Sequence, residues 1–256
     1  QLVSDFSSEK RIFIPFNAIP KKVIHSFLSA EDKNFFSHPG VDARGGGSAL
    51  INNISNILSS RRLEGASTIT QQVAKNFLLS NEVSLNRKIK EAILAFRIER
   101  VLTKERILEL YLNQIYLGSG AYGVAAASLE YFDKSIRDLN YSEAALLAAL
   151  PKAPSKYNPY KSDEIAKKRR NIVLKNLYDN SYINKSQYTE LKNKEIKTSK
   201  RKIELLEEAN FYSEEVRRIV SDIYGYDNLY KGGLSIRTPL SSNYQIEALK
   251  ALREGL

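Results

Sequence analysis

Apolar residues recur at the three- and four-residue spacing of a helix along most of this chain, in runs that proline or glycine interrupts. Pro20 stands where a first-turn proline belongs, and apolar residues follow at helical spacing up to Glu31. Ser67 and Thr68 have side chains suited to cap a further helix, which we expect to end near Leu79. The pattern predicts that most of the chain is helical.

Two further local signals follow in the middle of the chain. Thr103 is suited to cap a helix from Lys104 to about Asn113. After it, Gly118, Gly120 and Gly123 predict a turn, and Ala-rich helices follow the turn.

The last segment differs in character. Residues 234–238 alternate as a strand does, Pro239 stops the run, and a final helix is predicted over about 242–253. No closing element follows, and the chain contains no Met. We therefore expect a piece of a longer protein, with a main domain at 1–230 and the start of a linker toward a further domain at 231–256.

The residue types present restrict the chemistry open to this chain. Its 256 residues include no Cys and two His, which excludes thiol nucleophiles and cysteine metal sites and leaves too few histidines for a histidine-built metal site. The longest apolar run, 144–150, is far shorter than the roughly 18 residues of a membrane span. Any catalysis must use carboxylates, hydroxyls, amides and cations.

Positive charge is concentrated in one segment. The formal net charge is +10, and residues 161–202 contain 13 Lys and Arg against 5 Asp and Glu. Such a segment attracts an anionic partner, which would be a nucleic acid, an anionic membrane surface or a phosphate-bearing substrate. A solvated helical surface without a partner accounts for the same composition.

A first candidate for chemistry is the acidic pair Glu31 and Asp32, which lies at a helix end beside Phe35 and Phe36 and before a Gly/Pro turn. Burial against aromatic rings raises the pKa of a carboxyl group toward neutrality, as a general base or acid requires. The alternative is plain surface charge, the ordinary state of acidic residues.

A second candidate is the polar stretch 67–76, in which five neutral polar side chains are followed by Lys75 and Asn76. Gln72, Lys75 and Asn76 share one helix face, and the free N–H groups of a helix start favour anions. A capped helix with a polar outer face is the alternative.

A third candidate is Glu91, which follows Arg87 by four residues. The helix positions one and two turns after Glu91 are apolar, so we expect its carboxylate either partly buried against Arg87 or facing a cleft. A purely structural Arg87–Glu91 pair is the alternative.

Together, these stretches resemble the glycosyltransferase domain of class A penicillin-binding proteins and of monofunctional peptidoglycan polymerases. The family motifs Glu-Asp-x-x-Phe-x-x-His-x-Gly, Gly-Gly-Ser-Thr-Ile-Thr-Gln-Gln and Arg-Lys-x-x-Glu are matched at residues 31–40, 65–72 and 87–91. Blocks at 104–113 and 169–174 agree as well, and the resemblance covers about residues 12–256.

Two residues depart from the family pattern. Ala66 replaces the second glycine of the second motif and adds a methyl group where the backbone approaches substrate. Asp133 stands where the family usually has Gly after Tyr-Phe.

The resemblance implies a lysozyme-like, all-α fold with a large lobe and a smaller, membrane-facing lobe around residues 43–62, flanking a long cleft. It implies a peptidoglycan glycosyltransferase that joins lipid II units into β-1,4 glycan strands. The 4-hydroxyl of the acceptor's N-acetylglucosamine attacks C1 of N-acetylmuramic acid on the growing donor, with inversion, and undecaprenyl pyrophosphate leaves. Enzymes of this kind act in cell-wall biogenesis and cell shape, and moenomycin inhibits them.

By the same resemblance, Glu31 is the base that takes the acceptor's proton, and Glu91 is a second catalytic carboxylate. Glu91 would orient cations around the leaving pyrophosphate or coordinate Mg²⁺, the candidate cofactor; no organic cofactor is implied. The implied substrate-binding residues are Asp32, Phe35, His38, Ser67, Thr68, Gln71, Gln72, Lys75, Asn76, Arg87, Lys88, Lys90, Asn113 and Arg170.

The implied partners are lipid II, the nascent glycan strand and a membrane surface, which residues 49–58 would enter and the basic segment would face. The implied location is the bacterial inner (cytoplasmic) membrane, with the catalytic domain on its periplasmic or extracellular face. The full protein would add an N-terminal transmembrane helix and a C-terminal transpeptidase domain. Nucleic acid is not an expected partner.

Two other functions remain open on the sequence alone. A muramidase or lytic transglycosylase shares the lysozyme-like fold, but it does not need the polyphosphate-binding cations that the second and third stretches supply. A non-enzymatic basic module that binds nucleic acid would account for the net charge of +10, but not for Glu31 and Glu91.

Overall fold

The computed structural model describes residues 3, 4, 6, 9–42, 67–78, 85–199, 206–231 and 234–255. The predicted small lobe at 43–62, its membrane-entering stretch 49–58 and Ala66 lie outside these residues. The chain divides into two compact units, residues 12–200 and residues 1–11 with 201–256. The domain boundary expected at 230 stays a prediction.

The larger unit is built from helices, as the sequence predicts. Short 3-10 turns at 16–18, 35–37 and 136–138 and a two-residue strand at Ala121–Tyr122 join them. The helices are α1 (Lys21–Glu31), α2 (Ile69–Leu78), α3 (Leu85–Val101), α4 (Lys104–Gln114), α5 (Val124–Phe132), α6 (Tyr141–Ala149), α7 (Asp163–Asp179) and α8 (Lys185–Asn193).

The core of the larger unit forms around α6. The longest apolar run of the sequence, 144–150, is buried throughout, because α6 packs against both α1 and α7. A second contact set joins α2 to α3 and α4. These two sets bring the end of α1, the start of α2 and the first half of α3 into the same part of the unit.

Polar residues begin most of these helices where the sequence predicts a start. Thr103 accepts a hydrogen bond from the backbone N–H of Arg106 at the start of α4. Asn140 and Asn184 each form a reciprocal capping box with the third residue of their helix. Local sequence therefore fixes the helix ends before any tertiary contact is considered.

The glycine-rich turn after α4 also forms as expected. Gly118, Gly120 and Gly123 all have positive φ. A Cβ atom at Gly123 would lie 2.6 Å from the carbonyl oxygen of Asn113, so only glycine fits there. Asp133 ends α5 with φ of 50°, the left-handed conformation that explains why the family usually places glycine at this position.

The smaller unit contains a two-residue strand at Lys10–Arg11 and three helices among its described residues: α9 (Asn210–Tyr224), α10 (Tyr226–Lys231) and α11 (Ser242–Glu254). The final helix was predicted, but the strand at 234–238 is wrong. That segment is irregular in the structure. Alternation makes a segment able to pair, but a strand forms only where a neighbouring strand supplies the hydrogen bonds.

No helix among the described residues is long and apolar enough to cross a membrane.

Candidate active site

Glu31 is the last residue of α1, and its environment disfavours its negative charge. Burial raises the pKa of Glu31, and the nearby charge of Asp32 raises it further. Three contacts act in the opposite direction: a hydrogen bond of 2.8 Å from Gln72 Nε2 to Glu31 Oε2, and the positive charges of Arg169 and Lys152. The pKa stays above its ordinary value, which suits a group that must take up a proton.

The end of α1 is held rigidly by α7. Asn176 donates to the backbone oxygen of Ser29 at 2.9 Å, and Asn180 donates to the Ser29 hydroxyl at 3.1 Å. These bonds lie two residues before Glu31. The backbone that carries the candidate base is therefore fixed by the same helix that carries Arg169.

Asp32 joins three segments of the site and is 7% exposed. Its carboxylate accepts from His38 Nε2 at 2.9 and 3.0 Å and from the backbone N–H of Ile69, the first residue of α2, at 3.0 Å. The other ring nitrogen of His38 accepts from the backbone N–H of Gly40. This network assigns His38 the neutral form protonated at Nε2. Both residues thus position neighbouring segments, and their implied contact with substrate stays a prediction.

Thr68 begins α2 through a capping box. The Gln71 N–H donates to Thr68 Oγ1 at 3.2 Å, and the Thr68 N–H donates to Gln71 Oε1 at 3.0 Å. Asp32 takes the Ile69 N–H as well, so a carboxylate of the protein already lies at this helix start. The expectation that this helix start binds an anion of the substrate stays a prediction.

Phe35 lies fully buried beneath Lys104. The Lys104 ammonium is 4.5 Å from the centre of the Phe35 ring, and it donates to the His38 backbone oxygen at 2.6 Å and to Glu99 Oε1 at 2.7 Å. Glu99 also accepts from Thr70 of α2 at 2.6 Å. Lys104 therefore fixes the turn that follows Glu31, a role for which the sequence analysis did not select it.

Glu91 is 1% exposed and lies between two cations of its own helix. The Glu91 carboxylate is 3.1 Å from Arg87 Nε and 2.6 Å from Lys88 Nζ. Lys88 also donates to Ser67 Oγ at 2.6 Å, which ties α3 to the residue just before the α2 cap. The predicted burial of Glu91 against Arg87 is confirmed, and Lys88 is its second partner.

These contacts do not fit a magnesium site at Glu91. Mg²⁺ is bound through carboxylates and water, whereas each oxygen of this carboxylate faces a cation of the protein. Within the described part of the chain, no three His, Asp or Glu residues come close enough to hold a metal ion. We derive no step through a metal.

Three of the predicted site residues are exposed: Lys75 and Asn76 on α2, and Lys90 on α3. Gln72, on the same face of α2, is half-buried and reaches Glu31. The exposed lysines are thus available to a ligand that approaches along α2 and α3.

Asn113 and Arg170 do not belong to this group. Asn113 clamps the backbone of Ile14 with two hydrogen bonds, at 2.8 and 2.9 Å. Arg170 has no exposed surface and donates to the Ser142 hydroxyl and to the backbone oxygens of Lys192 and Lys194. Both residues have a structural role, and the substrate-binding role implied for them stays a prediction.

Three residues near Glu31 were not selected from the sequence: Tyr111, Lys152 and Arg169. The sequence did contain a signal for Arg169. Arg170 shares a helix face with the apolar Ala166 and Val173, so it had to face the core. Arg169 precedes it by one position and therefore lies on a different helix face. Tyr111 and Lys152 carry no comparable signal, since only the tertiary fold brings them to Glu31.

Several lysines of the basic segment, residues 161–202, form ion pairs within the protein. Ion pairs join Lys167 to Glu195, Lys168 to Glu164 and Lys175 to Asp179. The segment keeps its net charge, but part of its positive charge is matched locally by acidic partners on α7 and in the segment after α8.

Comparisons with known proteins show which proteins this chain resembles. The family model described as transglycosylase matches residues 1–178. Penicillin-binding protein 1A of Rickettsia felis is 50% identical over 100% of this chain and 32% of its own length, and that of Aquifex aeolicus is 46% identical over 100% and 34%. A crystal structure of penicillin-binding protein 1A from Haemophilus influenzae aligns with a TM-score of 0.55 and 29% identity, over 97% of this chain and 27% of that one. The chain thus spans about a third of the length of the curated relatives it matches.

Proposed function

The chain belongs to the transglycosylase family, and we propose that it polymerises peptidoglycan glycan strands from lipid II with Glu31 as the general base. The observation that supports this role is the environment of Glu31. Burial raises the pKa of its carboxyl group, and a hydrogen bond from Gln72 orients that group. Among the described residues, Asp32 and Glu91, the other carboxylates of the three motifs, are already held by protein donors.

The proposed reaction is a displacement at the anomeric carbon of the donor. As the acceptor's 4-hydroxyl oxygen bonds to C1 of the donor N-acetylmuramic acid, its proton passes to Glu31, and the bond from C1 to the pyrophosphate oxygen breaks with its electron pair. Proton removal by a positioned carboxylate contributes about 10² to 10⁴ to the rate. The charges of Arg169 and Lys152 favour the ionised form of Glu31, which is the form that accepts a proton.

The leaving pyrophosphate gains negative charge, and exposed cations are suited to stabilise it. Lys75 and Lys90 are exposed on α2 and α3. Arg87 and Lys88 are held in place by Glu91, which acts as a positioning residue for this pair. In this proposal, the acidic residue of the third motif serves the leaving group through its cationic neighbours.

The proposal extends to the longer protein of which such a chain would form part. We propose that the substrate reaches the site from a membrane surface, that an N-terminal transmembrane helix anchors the protein, and that a C-terminal transpeptidase domain follows. The domain would then work at the outer face of the bacterial inner membrane. The support is the likeness to penicillin-binding protein 1A sequences about three times as long.

Incubation with fluorescent lipid II, scored for polymer on a gel, tests the proposed function. The parent chain should form long glycan, and Glu31→Gln should form none, because the amide keeps the shape of the side chain but cannot take the proton. The matched control is Glu164→Gln, which removes an exposed carboxylate paired with Lys168 and should polymerise at the parent rate.

Two results would contradict the proposal. Glycan formation by Glu31→Gln within a few-fold of the parent would remove Glu31 as the base. Release of soluble muropeptides from finished peptidoglycan, without polymer from lipid II, would instead indicate a glycan-cleaving enzyme.

A further inference from the structure

Tyr111 of α4 is buried in an unusual way. Its side chain is 1% exposed, and its hydroxyl has no hydrogen-bond partner among the described residues. Two other large polar side chains are as deeply buried in the unit, and both are satisfied: Tyr131 donates to the Leu117 backbone oxygen at 2.9 Å, and Arg170 reaches several acceptors. A buried hydroxyl that makes no bond costs stability and calls for an explanation.

The position of Tyr111 offers an explanation for its unpaired hydroxyl. Its ring packs edge-on against Phe27 of α1, with the ring centres 6.2 Å apart, and Phe27 lies one helical turn before Glu31 on the same face of α1. The helix of Tyr111 also packs against α2, which carries Gln72, the donor to Glu31. Tyr111 thus contacts α1, which carries Glu31, and belongs to a helix that packs against α2, which carries Gln72.

The electrostatic environment agrees with this geometry. Burial raises the pKa of Tyr111 well above its ordinary value, and the charges of Glu31 and Asp32 raise it further. The raised pKa keeps the hydroxyl protonated, so it can donate a hydrogen bond, and both carboxylates belong to its electrostatic environment. Asp32 already accepts from His38 and from the Ile69 N–H. Among the described residues, Glu31 accepts a side-chain hydrogen bond from Gln72 through Oε2, so its Oε1 can still accept.

We propose that Tyr111 is a positioning residue for the general base, and that its hydroxyl donates to the Glu31 carboxylate once that carboxylate is ionised. This inference rests on the proposed function of Glu31. The bond stabilises the ionised carboxylate, so it acts together with Gln72, Arg169 and Lys152 against burial and the charge of Asp32. The Tyr111 hydroxyl, unpaired in this structure, is kept because the ionised base uses it.

The test compares Tyr111→Phe with Tyr131→Phe, a matched loss of one buried hydroxyl. Three quantities are measured for each variant. The rate of lipid II polymerisation as a function of pH gives the acidic limb of the profile, where activity falls as Glu31 becomes protonated. Carbon-13 NMR of the Glu31 carboxyl group gives its titration midpoint, and calorimetry gives Tm. Tyr111→Phe should move both the limb and the midpoint to higher pH and lower kcat about three- to tenfold, the range for one net hydrogen bond. Its Tm should stay the same or rise.

Tyr131→Phe should show the opposite signature. Loss of its bond to Leu117 should lower Tm and leave the Glu31 midpoint and the acidic limb unchanged. Equal Glu31 midpoints in the parent and in Tyr111→Phe would overturn the inference. A parent chain that forms no polymer at any pH would overturn the proposed function instead, and the NMR titration, which needs no turnover, would still decide the role of Tyr111.

Discussion

At the scale of single residues, Glu31 shows that the candidate base is kept at a cost to the fold. Its pKa is raised in the folded state, so the folded protein binds the proton of Glu31 more tightly than the unfolded chain does. The stability contributed by that proton is complete at pH values below the ordinary pKa of glutamate, and it is lost as the pH rises through the raised value. At neutral pH the charged carboxylate therefore destabilises the protein.

We predict that Glu31→Gln, while inactive, melts at a higher temperature than the parent at pH 7.5, and that the difference shrinks as the pH falls toward 4. The glutamine still accepts the bond from Gln72 through its amide oxygen. Scanning calorimetry across this range measures the effect. A lower melting temperature for the variant at pH 7.5 would show that the ionised carboxylate is stabilised on balance.

Asp133 offers a second test at this scale. It holds φ of 50° at the end of α5, a conformation that costs an ordinary side chain energy and glycine almost none. Asp133→Gly should stabilise the protein by about 0.5 to 1 kcal/mol, as measured by urea unfolding, with no change in activity. Gly40→Ala is the contrasting variant: its Cβ would lie 2.9 Å from the Ala95 carbonyl group, so it should unfold more readily.

At the scale of elements, the helices follow from local sequence, whereas the contacts of the site do not. The caps at Thr68 and Thr103 were visible as polar residues before apolar runs, and both helices begin there. The strand at 234–238 failed because pairing depends on a neighbour that sequence alternation does not reveal. Likewise, Glu31 could be identified as acidic beside aromatic rings, but its approach to Lys152 depends on how α1, α6 and α7 pack.

The outer face of α2 carries a prediction about binding. Lys75 is exposed, so its removal should leave folding within about 0.5 kcal/mol of the parent. Lys75→Ala should weaken moenomycin, which carries a phosphate, by about 1.5 to 3 kcal/mol, the range for a charged hydrogen bond, and salt should weaken the parent complex further. Isothermal titration measures both.

Lys168→Ala is the control, since it removes an exposed lysine of α7 that is paired with Glu164. It should bind the inhibitor as the parent does. If Lys75→Ala bound moenomycin as tightly as the parent, the phosphate site would instead lie at Arg87 and Lys90, at the start of α3.

At the scale of the whole molecule, the division into two units makes its own prediction. The buried apolar cluster lies entirely between residues 14 and 196, and so do all the site residues. A fragment of residues 12–200 should therefore unfold in one cooperative transition and retain inhibitor binding. Calorimetry and titration of the fragment check this. A broad transition without a heat-capacity peak would mean that residues 201–256 are needed to complete the fold.

The network around Asp32 has a consequence for drug resistance. Asp32, His38 and Thr68 hold the base in place and also hold the end of α1 to the start of α2, so substitutions there damage folding and turnover together. Lys75 and Lys90 lie on the surface, so their substitution would not damage folding. Resistance to an inhibitor that depends on these lysines can therefore arise by substitutions that keep the fold and weaken only the proposed stabilisation of the leaving group. An inhibitor that binds Glu31 and Gln72 leaves no such route, because substitution of Glu31 removes the proposed base.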